Sequence, residues 1–392
     1  MSTPIDASEQ RRQHFRDLFG TTPTHNSRSP GRVNLIGEHT DYNDGFVLPV
    51  AIDRAAYVLG KARDDRQVRV HALTLGESAT LDLDALHPGI VEGWSAYVAG
   101  MADYLQRRNY KLVGVDLLID GDVPQGAGLS SSAALEVAVG SMLLALAGHE
   151  IDRIELAQVG QQTEHNYIHV QSGIMDQMIS ALGQAQHALL IDCRDYSTEP
   201  VPLPPDVQIV VCNSKVKREL AQSGYNERRA QCDEAVSILQ TVIPDVRALR
   251  DVSSRQLEEY AGLLPPLALK RARHVVTENE RVLASRDALR AGDLDAFGKL
   301  MQAAHRSYRD DFEASTHEIE ALVDAALTVD GVFGSRLTGG GFGGCTVSLV
   351  ASDAVDQFQH TVANAYERAI GYQPDIYVCE ASDGVSVQTL EQ

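Results

Sequence analysis

V-D-L-L-I-D-G-D-V-P-Q-G-A-G-L-S-S-S-A-A-L-E-V-A-V-G-S-M-L-L-A-L-A-G, from Val115 to Gly148, carries three local patterns in succession. Val115 to Asp120 is branched and aliphatic enough for a strand, Pro124 to Ser130 cannot continue it, and Ser131 or Ser132 can cap a helix running to Gly148. Gly126 and Gly128 let backbone N–H groups approach a ligand closely, and the new helix adds unpaired donors and the positive end of its dipole. That is a cradle for an anion. The pattern G-x-x-x-x-G-K-[ST] of the common nucleotide loop is absent, no lysine occurs between Lys111 and Lys215, and no third glycine completes a dinucleotide fingerprint. A phosphate held here must rest on amides, serine hydroxyls and a metal ion. A plain glycine turn with a serine cap has the same local pattern, so other stretches must decide.

A chain of 392 residues exceeds what one core usually supports, which predicts two domains. With 44% hydrophobic and 22% charged residues it reads as an ordinary soluble globular protein. Thirty-four basic residues stand against 54 acidic ones, a formal charge of −20, which argues against nucleic acid or an anionic membrane as partner. An anionic substrate would then need a local positive field, which glycine loops and Mg²⁺ can supply. The five cysteines, Cys193, Cys212, Cys232, Cys345 and Cys379, are widely spaced with no C-x-x-C pair, as expected of reduced thiols in the cytoplasm. The start M-S-T-P-I-D-A-S-E-Q lacks the basic and apolar regions of a signal peptide. The run from Ala133 to Ala147 is too short for a bilayer and contains Glu136.

Along the chain, Glu9 to Phe19 predicts an amphipathic helix with Phe15 and Leu18 on its apolar side. Arg32 to Ile36 and Phe46 to Ile52 predict strands joined through the hairpin signal Asn43-Asp44-Gly45. Between them lie seven hydrogen-bonding residues, Glu38, His39, Thr40, Asp41, Tyr42, Asn43 and Asp44. At the edge of a core, their carboxylates, imidazole and phenol suit a ligand with many hydroxyl groups. Ala55 to Leu83 predicts further strands, Ser95 to Arg107 a helix after the single tryptophan, Trp94, and Ile154 to His169 another helix. His165 and His169 have the spacing of a zinc helix, but Asn166 stands where its glutamate would be. Glu164 is instead a hard oxygen ligand suited to Mg²⁺. Asp176, in Q-S-G-I-M-D-Q, sits on a glycine turn before an apolar helix. Pro200, Pro202, Pro204 and Pro205 mark a linker, with the strand Val207 to Cys212 and helices to about Leu327 beyond it. Lys270, Arg271, Arg273 and His274, soon followed by Glu278 and Glu280, predict a solvated helix face. Five glycines in six residues, Gly339 to Gly344, form a second glycine loop before another strand.

Three motifs, in this order, resemble the galactokinase branch of the family of galactokinase, homoserine, mevalonate and phosphomevalonate (GHMP) kinases. They are S-P-G-R-V-N-L-I-G-E-H-T-D-Y-N-D-G (Ser29 to Gly45), P-Q-G-A-G-L-S-S-S-A-A (Pro124 to Ala134) and L-T-G-G-G-F-G-G-C (Leu337 to Cys345). G-I-M-D-Q and N-S-x-V-x-R-x-L-x-x-S-x-Y extend the likeness over most of the chain. The resemblance implies an α+β fold of two domains with mixed sheets, residues 1–200 and 201–392, with the active site at their junction. It implies phosphorylation of α-D-galactose by ATP at the C1 hydroxyl, with a kinase for N-acetylgalactosamine or arabinose, or a non-catalytic galactose sensor, as the alternatives. Asp176 takes the role of base and Arg32 of its cationic neighbour, a guanidinium that would keep Asp176 ionised. Glu38, His39, Asp41, Gly173 and Tyr225 match sugar-contacting positions. Gly126, Ala127, Gly128, Leu129, Ser130, Ser131 and Ser132 match the ATP loop, and Trp94 the aromatic residue near the adenine. Ser132 and Glu164 match the Mg²⁺ positions, with Ser131 a rival to Ser132. Ser172 stands where many relatives have cysteine and bears on fine sugar specificity. The partners expected are ATP and galactose, the chain acting as a monomer in the cytoplasm.

Overall fold

The computed structural model describes residues 4–124, 126–216 and 221–391, without the side chains of 4–6 and 221–223. Gln125 of the first glycine loop, Arg218 and Leu220 of the later motif, and the first three residues lie outside the described residues, as does the side chain of Ser223.

Helix α1 (Pro4–Phe19) buries Phe15, but its companion is Phe19: Leu18 is 44% exposed. Strand β1 (His25–Asn34) is followed by β2 (Phe46–Val47) and β3 (Pro49–Arg63), and β1 pairs antiparallel with β3 from His25↔Gly60 to Asn34↔Pro49. The expected tight hairpin at Asn43-Asp44-Gly45 is a wider connection. Asp41–Asn43 forms a turn of 3₁₀ helix, Asp44 ends it at φ 56°, and the Gly45 N–H returns to Thr40 O at 2.8 Å. Strands β4 (Gln67–Ala72) and β5 (Glu77–Asp82), helix α2 (Ser95–Arg107) and strand β6 (Gly114–Gly121) follow. β4 alternates half-buried and buried residues, whereas Val115 to Ile119 of β6 are all buried, as a strand covered on both faces requires.

Helix α3 (Ser131–Leu146) explains its own composition. Almost every residue from Ala133 to Leu144 is buried, because the helix packs on β1 and β3 and is itself covered by other helices. Its first residue is Ser131, and the residue before it is Ser130 in the left-handed region (φ 57°) with no side-chain cap, so neither Ser131 nor Ser132 is the cap expected. Helix α4 (Arg153–Thr163) runs into a π-helical turn at Glu164–Ile168, and α5 (Met175–Leu182) starts one residue before Asp176. Strands β7 (His187–Asp192) and β8 (Thr198–Pro202) then form a small sheet with β2. Pro200 and Pro202, expected in a linker, lie in β8 at the edge of that sheet, where a missing N–H is tolerated.

The second half holds β9 (Val207–Asn213), α6 (Ala221–Leu239), α7 (Ser254–Glu259), α8 (Pro266–Arg290), α9 (Leu294–Asp310), α10 (His317–Leu327), β10 (Val332–Thr338), β11 (Cys345–Ala351), α11 (Val355–Ile370), β12 (Asp375–Cys379) and β13 (Ser386–Thr389). Strands β10-β11-β9-β12 form an antiparallel sheet, packed by α9, α10 and α11. The chain then returns: β13 pairs with β1 and completes the first sheet, ordered β13-β1-β3-β6-β4-β5, in which only β4–β6 is parallel. Both halves are mixed α and β. The basic patch on α8 departs from expectation. Arg271 is 1% exposed and bound by Gln231, Glu313 and the Asp311 carbonyl, and His274 is wholly buried.

Candidate active site

Six segments converge on one cavity of about 310 Å³: the end of β1, the polar loop after it, the β6–α3 glycine loop, the α4–α5 connection, α6 and the β10–β11 glycine loop. The two glycine loops are tied to the strands around them. Arg32 N–H donates to Leu129 O at 3.0 Å, the Cys345 thiol donates to Ala127 O at 2.7 Å, and the Thr338 hydroxyl donates to Asn34 O at 2.9 Å. Ala127 and Leu129 are buried in the core, so what the first loop turns to the cavity is backbone and the residues Gly126, Gly128, Ser130, Ser131 and Ser132. Gly126 and Gly128, at φ 71° and 80°, occupy the left-handed region that glycine adopts without strain.

Asp176 is the centre of the cluster. Arg32 binds it with both arms, Nε to Oδ1 at 2.8 Å and Nη2 to Oδ2 at 2.6 Å, while Nη1 donates to Gly128 O at 2.7 Å. The Ser130 hydroxyl also donates to Asp176 Oδ2, so the side chain that does not cap α3 is used here. A carboxylate offers about four lone-pair sites. Among the described residues three are filled, and the open one is on Oδ1. The guanidinium thus bridges the carboxylate to the backbone of the phosphate-type loop in planar, charge-assisted geometry.

Beside it, Asp41 takes the Tyr42 N–H at 3.0 Å. Burial, then the charge of Asp176, pushes its carboxyl up to about 6. Gly173 is glycine because of this neighbour: a Cβ there would lie 1.8 Å from Asp41 Oδ2. Tyr225, reaching in from α6, stands with its ring 5.3 Å from that of His39 and 5.7 Å from that of Tyr42.

His39 and Glu38 are more committed than the sequence suggests. His39 sits at φ 63°, stacks on Phe312 at 4.2 Å, and has its Nδ1 2.8 Å from the Tyr42 hydroxyl and its Nε2 2.7 Å from the Tyr308 hydroxyl. Tyr308 in turn donates to Gly339 O at 2.6 Å, so it accepts from a His39 that carries its proton on Nε2, and Tyr42 donates to Nδ1. Burial first, then the nearby charge of His274, holds His39 well below the usual imidazole range, so it is neutral, with no ring nitrogen left over. Glu38 faces the cavity but is paired in the interior with Arg336, while its Oε1 accepts from Gly339 N at 3.2 Å. Burial raises its carboxyl against the pull of that guanidinium. Arg336 also lies 3.7 Å from Glu278, whose Oε1 accepts from Gly37 N at 2.9 Å. Burial opposes ionisation of Glu278, but the Arg281 and Arg336 guanidiniums outweigh it and hold its carboxyl at about 2. Sequence reading missed Arg336 and Glu278. The available signal was an arginine directly before L-T-G-G-G.

Glu164 faces the other side of the cavity from the π-helical turn. Its Oε1 accepts from the Ser132 hydroxyl at 3.1 Å and its Oε2 from the Ser172 hydroxyl, and burial, its largest influence, raises its carboxyl. The Ser172 hydroxyl is therefore engaged by Glu164, in the same cavity as Gly173 and Asp41. His165 Nε2 donates to the Ser172 carbonyl at 2.8 Å, and His169 is exposed, so the two histidines do not act together. Ser131 and Ser132 also border a second, more apolar pocket of about 250 Å³ lined by Trp94, Tyr97, Ile119, Val123 and Leu135, on the far side of the glycine loop. There the Trp94 indole N–H donates to Glu77 at 2.7 Å, which holds the ring at the rim.

Family models match in chain order: the galactokinase galactose-binding signature over residues 13–62, the GHMP kinase N-terminal domain over 96–184 and the GHMP kinase C-terminal domain over 285–368. A galactokinase of Chloroflexus aurantiacus is 52% identical over 372 residues, 95% of each chain. The crystal structure of Lactococcus lactis galactokinase complexed with galactose superposes with a TM-score of 0.93 at 39% identity, covering 97% of this chain and 99% of that one. A mevalonate kinase structure, 17% identical, shares the fold at a TM-score of 0.64 over 91% of this chain. The chain therefore belongs to the galactokinase family of the GHMP kinases.

Proposed function

We propose that this enzyme transfers the γ-phosphoryl group of ATP to the C1 hydroxyl of α-D-galactose, giving galactose 1-phosphate and ADP. The observation that carries the reading is the triple hold on Asp176 by Arg32 and Ser130. It joins the one open carboxylate lone pair to the backbone of a phosphate-type loop, with Asp41 and Tyr225 across the same cavity. The C1 hydroxyl donates to Asp176 Oδ1 and is aimed at the phosphoryl group. The proton passes to the carboxylate late, as suits a loose transition state in which positioning and charge stabilisation dominate. Arg32 remains beside the transferring group as the fixed cation. The adenine lies in the apolar pocket by Trp94, leaving the triphosphate to pass over Gly126, Gly128 and the serines.

Glu164 and Ser132 offer hard oxygens 3.1 Å apart, the donor set Mg²⁺ favours, on the phosphate side of the cavity. When bound there, Mg²⁺ neutralises phosphate charge that no lysine of the first loop can meet. The intact Ser130-Ser131-Ser132 run, with two of its hydroxyls on Asp176 and Glu164, favours catalysis over a sensing role. We further propose that the enzyme acts as a monomer in the cytoplasm, a setting that suits the free, buried thiols of Cys193, Cys212, Cys232 and Cys379. The division near residue 200 is proposed with β13 lent back to the first sheet. ADP release measured across galactose, N-acetylgalactosamine, arabinose and glucose tests the function: galactose should stand far above the rest, and equal or better turnover with another sugar would replace it as substrate.

A further inference from the structure

Beneath the cavity floor lies a carboxyl that the reaction as described does not use. Glu136, on α3, is wholly buried, and so is Gln177, on α5 and next in the chain to Asp176. The Gln177 amide Nε2 donates to Glu136 Oε2 at 3.0 Å, while Glu136 Oε1 and Gln177 Oε1 have no hydrogen-bond partner among the described residues. Gly160 of α4 makes room for the pair: a Cβ there would lie 2.8 Å from Gln177 Cγ and 3.1 Å from Glu136 Oε2. Two buried acceptors on one hydrogen-bonded pair would each be left without a donor, a costly arrangement. One proton on Glu136 Oε1 supplies the missing donor and lets a carboxylic acid and an amide bond to each other twice.

The two carboxylates around the pair work toward that proton. From the end of α4 comes Glu164, from α5 Asp176, and from α2 the phenol of Tyr97, whose own ionisation Glu136 and Glu164 oppose. Burial first, then the charges of Glu164 and Asp176, lifts the Glu136 carboxyl well above the usual carboxylate range. The Gln177 side chain also favours the ionised form of Glu164, so the amide stands between the two acids.

We propose that Glu136 is a positioning residue: as a neutral carboxylic acid it fixes the Gln177 amide, and Gln177 in turn fixes Glu164. The chain of contacts runs from the centre of α3, through α5, to the carboxylate beside the glycine loop. It keeps one more negative charge off the floor of a polyphosphate site. The positioning half of this inference rests on the assignment of Glu164 to Mg²⁺; the protonated state does not.

Two variants and one spectrum test it. At neutral pH, without nucleotide or metal, the infrared carbonyl stretch of a protonated carboxylic acid should be present in the enzyme and lost in Glu136→Gln, which keeps the folded state. Absence of that band, or its survival in Glu136→Gln, overturns the neutral acid whatever the role of Glu164. Glu136→Leu leaves Gln177 without its partner, and the Mg²⁺ concentration for half-maximal activity should rise about tenfold or more, the usual scale for residues that orient a metal ligand, with KM for galactose little changed. Glu136→Gln should rescue the Mg²⁺ response to within about threefold, because an amide pair repeats both hydrogen bonds. Loss in Glu136→Gln as large as in Glu136→Leu, or an unchanged Mg²⁺ response in a folded Glu136→Leu, overturns the positioning role. If Glu136→Leu does not fold, Glu136→Gln and its spectrum still decide. Should the acid band behave as predicted while Glu164→Gln leaves Mg²⁺ activation untouched, the assignment of Glu164 fails and the acid stands.

Discussion

Asp176 and Asp41 show how two carboxylates in one cavity are set to different tasks by their neighbours. Asp176 has a guanidinium on both oxygens, and Asn in its place keeps the shape while removing the acceptor proposed for the C1 proton. Asp176→Asn should lower kcat by about 10² to 10⁴, the range assigned to general-base catalysis, with galactose and ATP still binding. A variant turning over at near the wild-type rate would reduce Asp176 to a residue of the first turn of α5. Asp41 has no such cation, and its carboxyl lies at about 6. Because that value stands above the ordinary 3.8, the free enzyme gains stability from a protonated Asp41 below about 3.8 and loses it as pH rises through about 6. Galactose hydroxyls that donate to Asp41 need the opposite, ionised form. KM for galactose should therefore climb as pH falls below about 6, approaching tenfold per unit, and the climb should vanish in Asp41→Asn, whose affinity is poor throughout. A KM flat between pH 7 and 5 would remove Asp41 from the sugar.

At the scale of elements, the site depends on how the α4–α5 connection is built. The expected helix to His169 stops at Thr163, and the π-helical turn after it turns Glu164 toward Ser132. Helical periodicity does not reveal such a turn, because one widened turn leaves the surrounding apolar spacing almost intact. The close approach of Gly173 to Asp41 was equally hidden: G-I-M-D names the glycine, but only the loop from the other side of the cavity explains it. Gly173→Ala forces Asp41 aside, so KM for galactose should rise about tenfold or more with little change in KM for ATP. Equal loss for both substrates would point to a general collapse of the loop. Glu164→Gln should shift Mg²⁺ activation more than galactose binding, read by titrating Mg²⁺ at saturating ATP. What was legible here is the strand, loop and helix of Val115 to Gly148, since strand, turn and buried-helix patterns change sharply at Pro124 and Ser131. The serine that matters most, Ser130, was not distinguished from its neighbours, because its left-handed backbone leaves no mark in composition.

The whole molecule closes around pairs that join distant parts of the chain. Arg336 from β10 meets Glu38 and Glu278, and accepting groups on both sides hold it: its Nη1 donates to Leu35 O at 3.2 Å. Removing one partner of such a buried pair strands the other, at a cost of about 3 to 5 kcal/mol. Arg336→Met should thus lower the unfolding midpoint and weaken galactose binding together, checked by thermal melting with and without the sugar; an unchanged melt would mean the pair is dispensable. A helical stretch reading Lys270, Arg271, Arg273 and His274 looks solvated because charges usually are, yet half of it is buried by partners more than 30 positions away, such as Glu313 and Ser307. Long-range pairing of this kind, like the return of β13 to the first sheet, has no local signature. The order of the three motifs did carry the family and its mixed two-part fold. The most direct measurement is kcat/KM for galactose and for glucose, which differ only in the C4 hydroxyl. A buried carboxylate oxygen left without its hydroxyl costs about 1.5 to 3 kcal/mol or more, so glucose should be worse by about 10² or more. Phosphorylation of glucose within about tenfold of galactose, a gap too small for the loss of even one such bond, would contradict a galactose site built on Asp41 and Asp176.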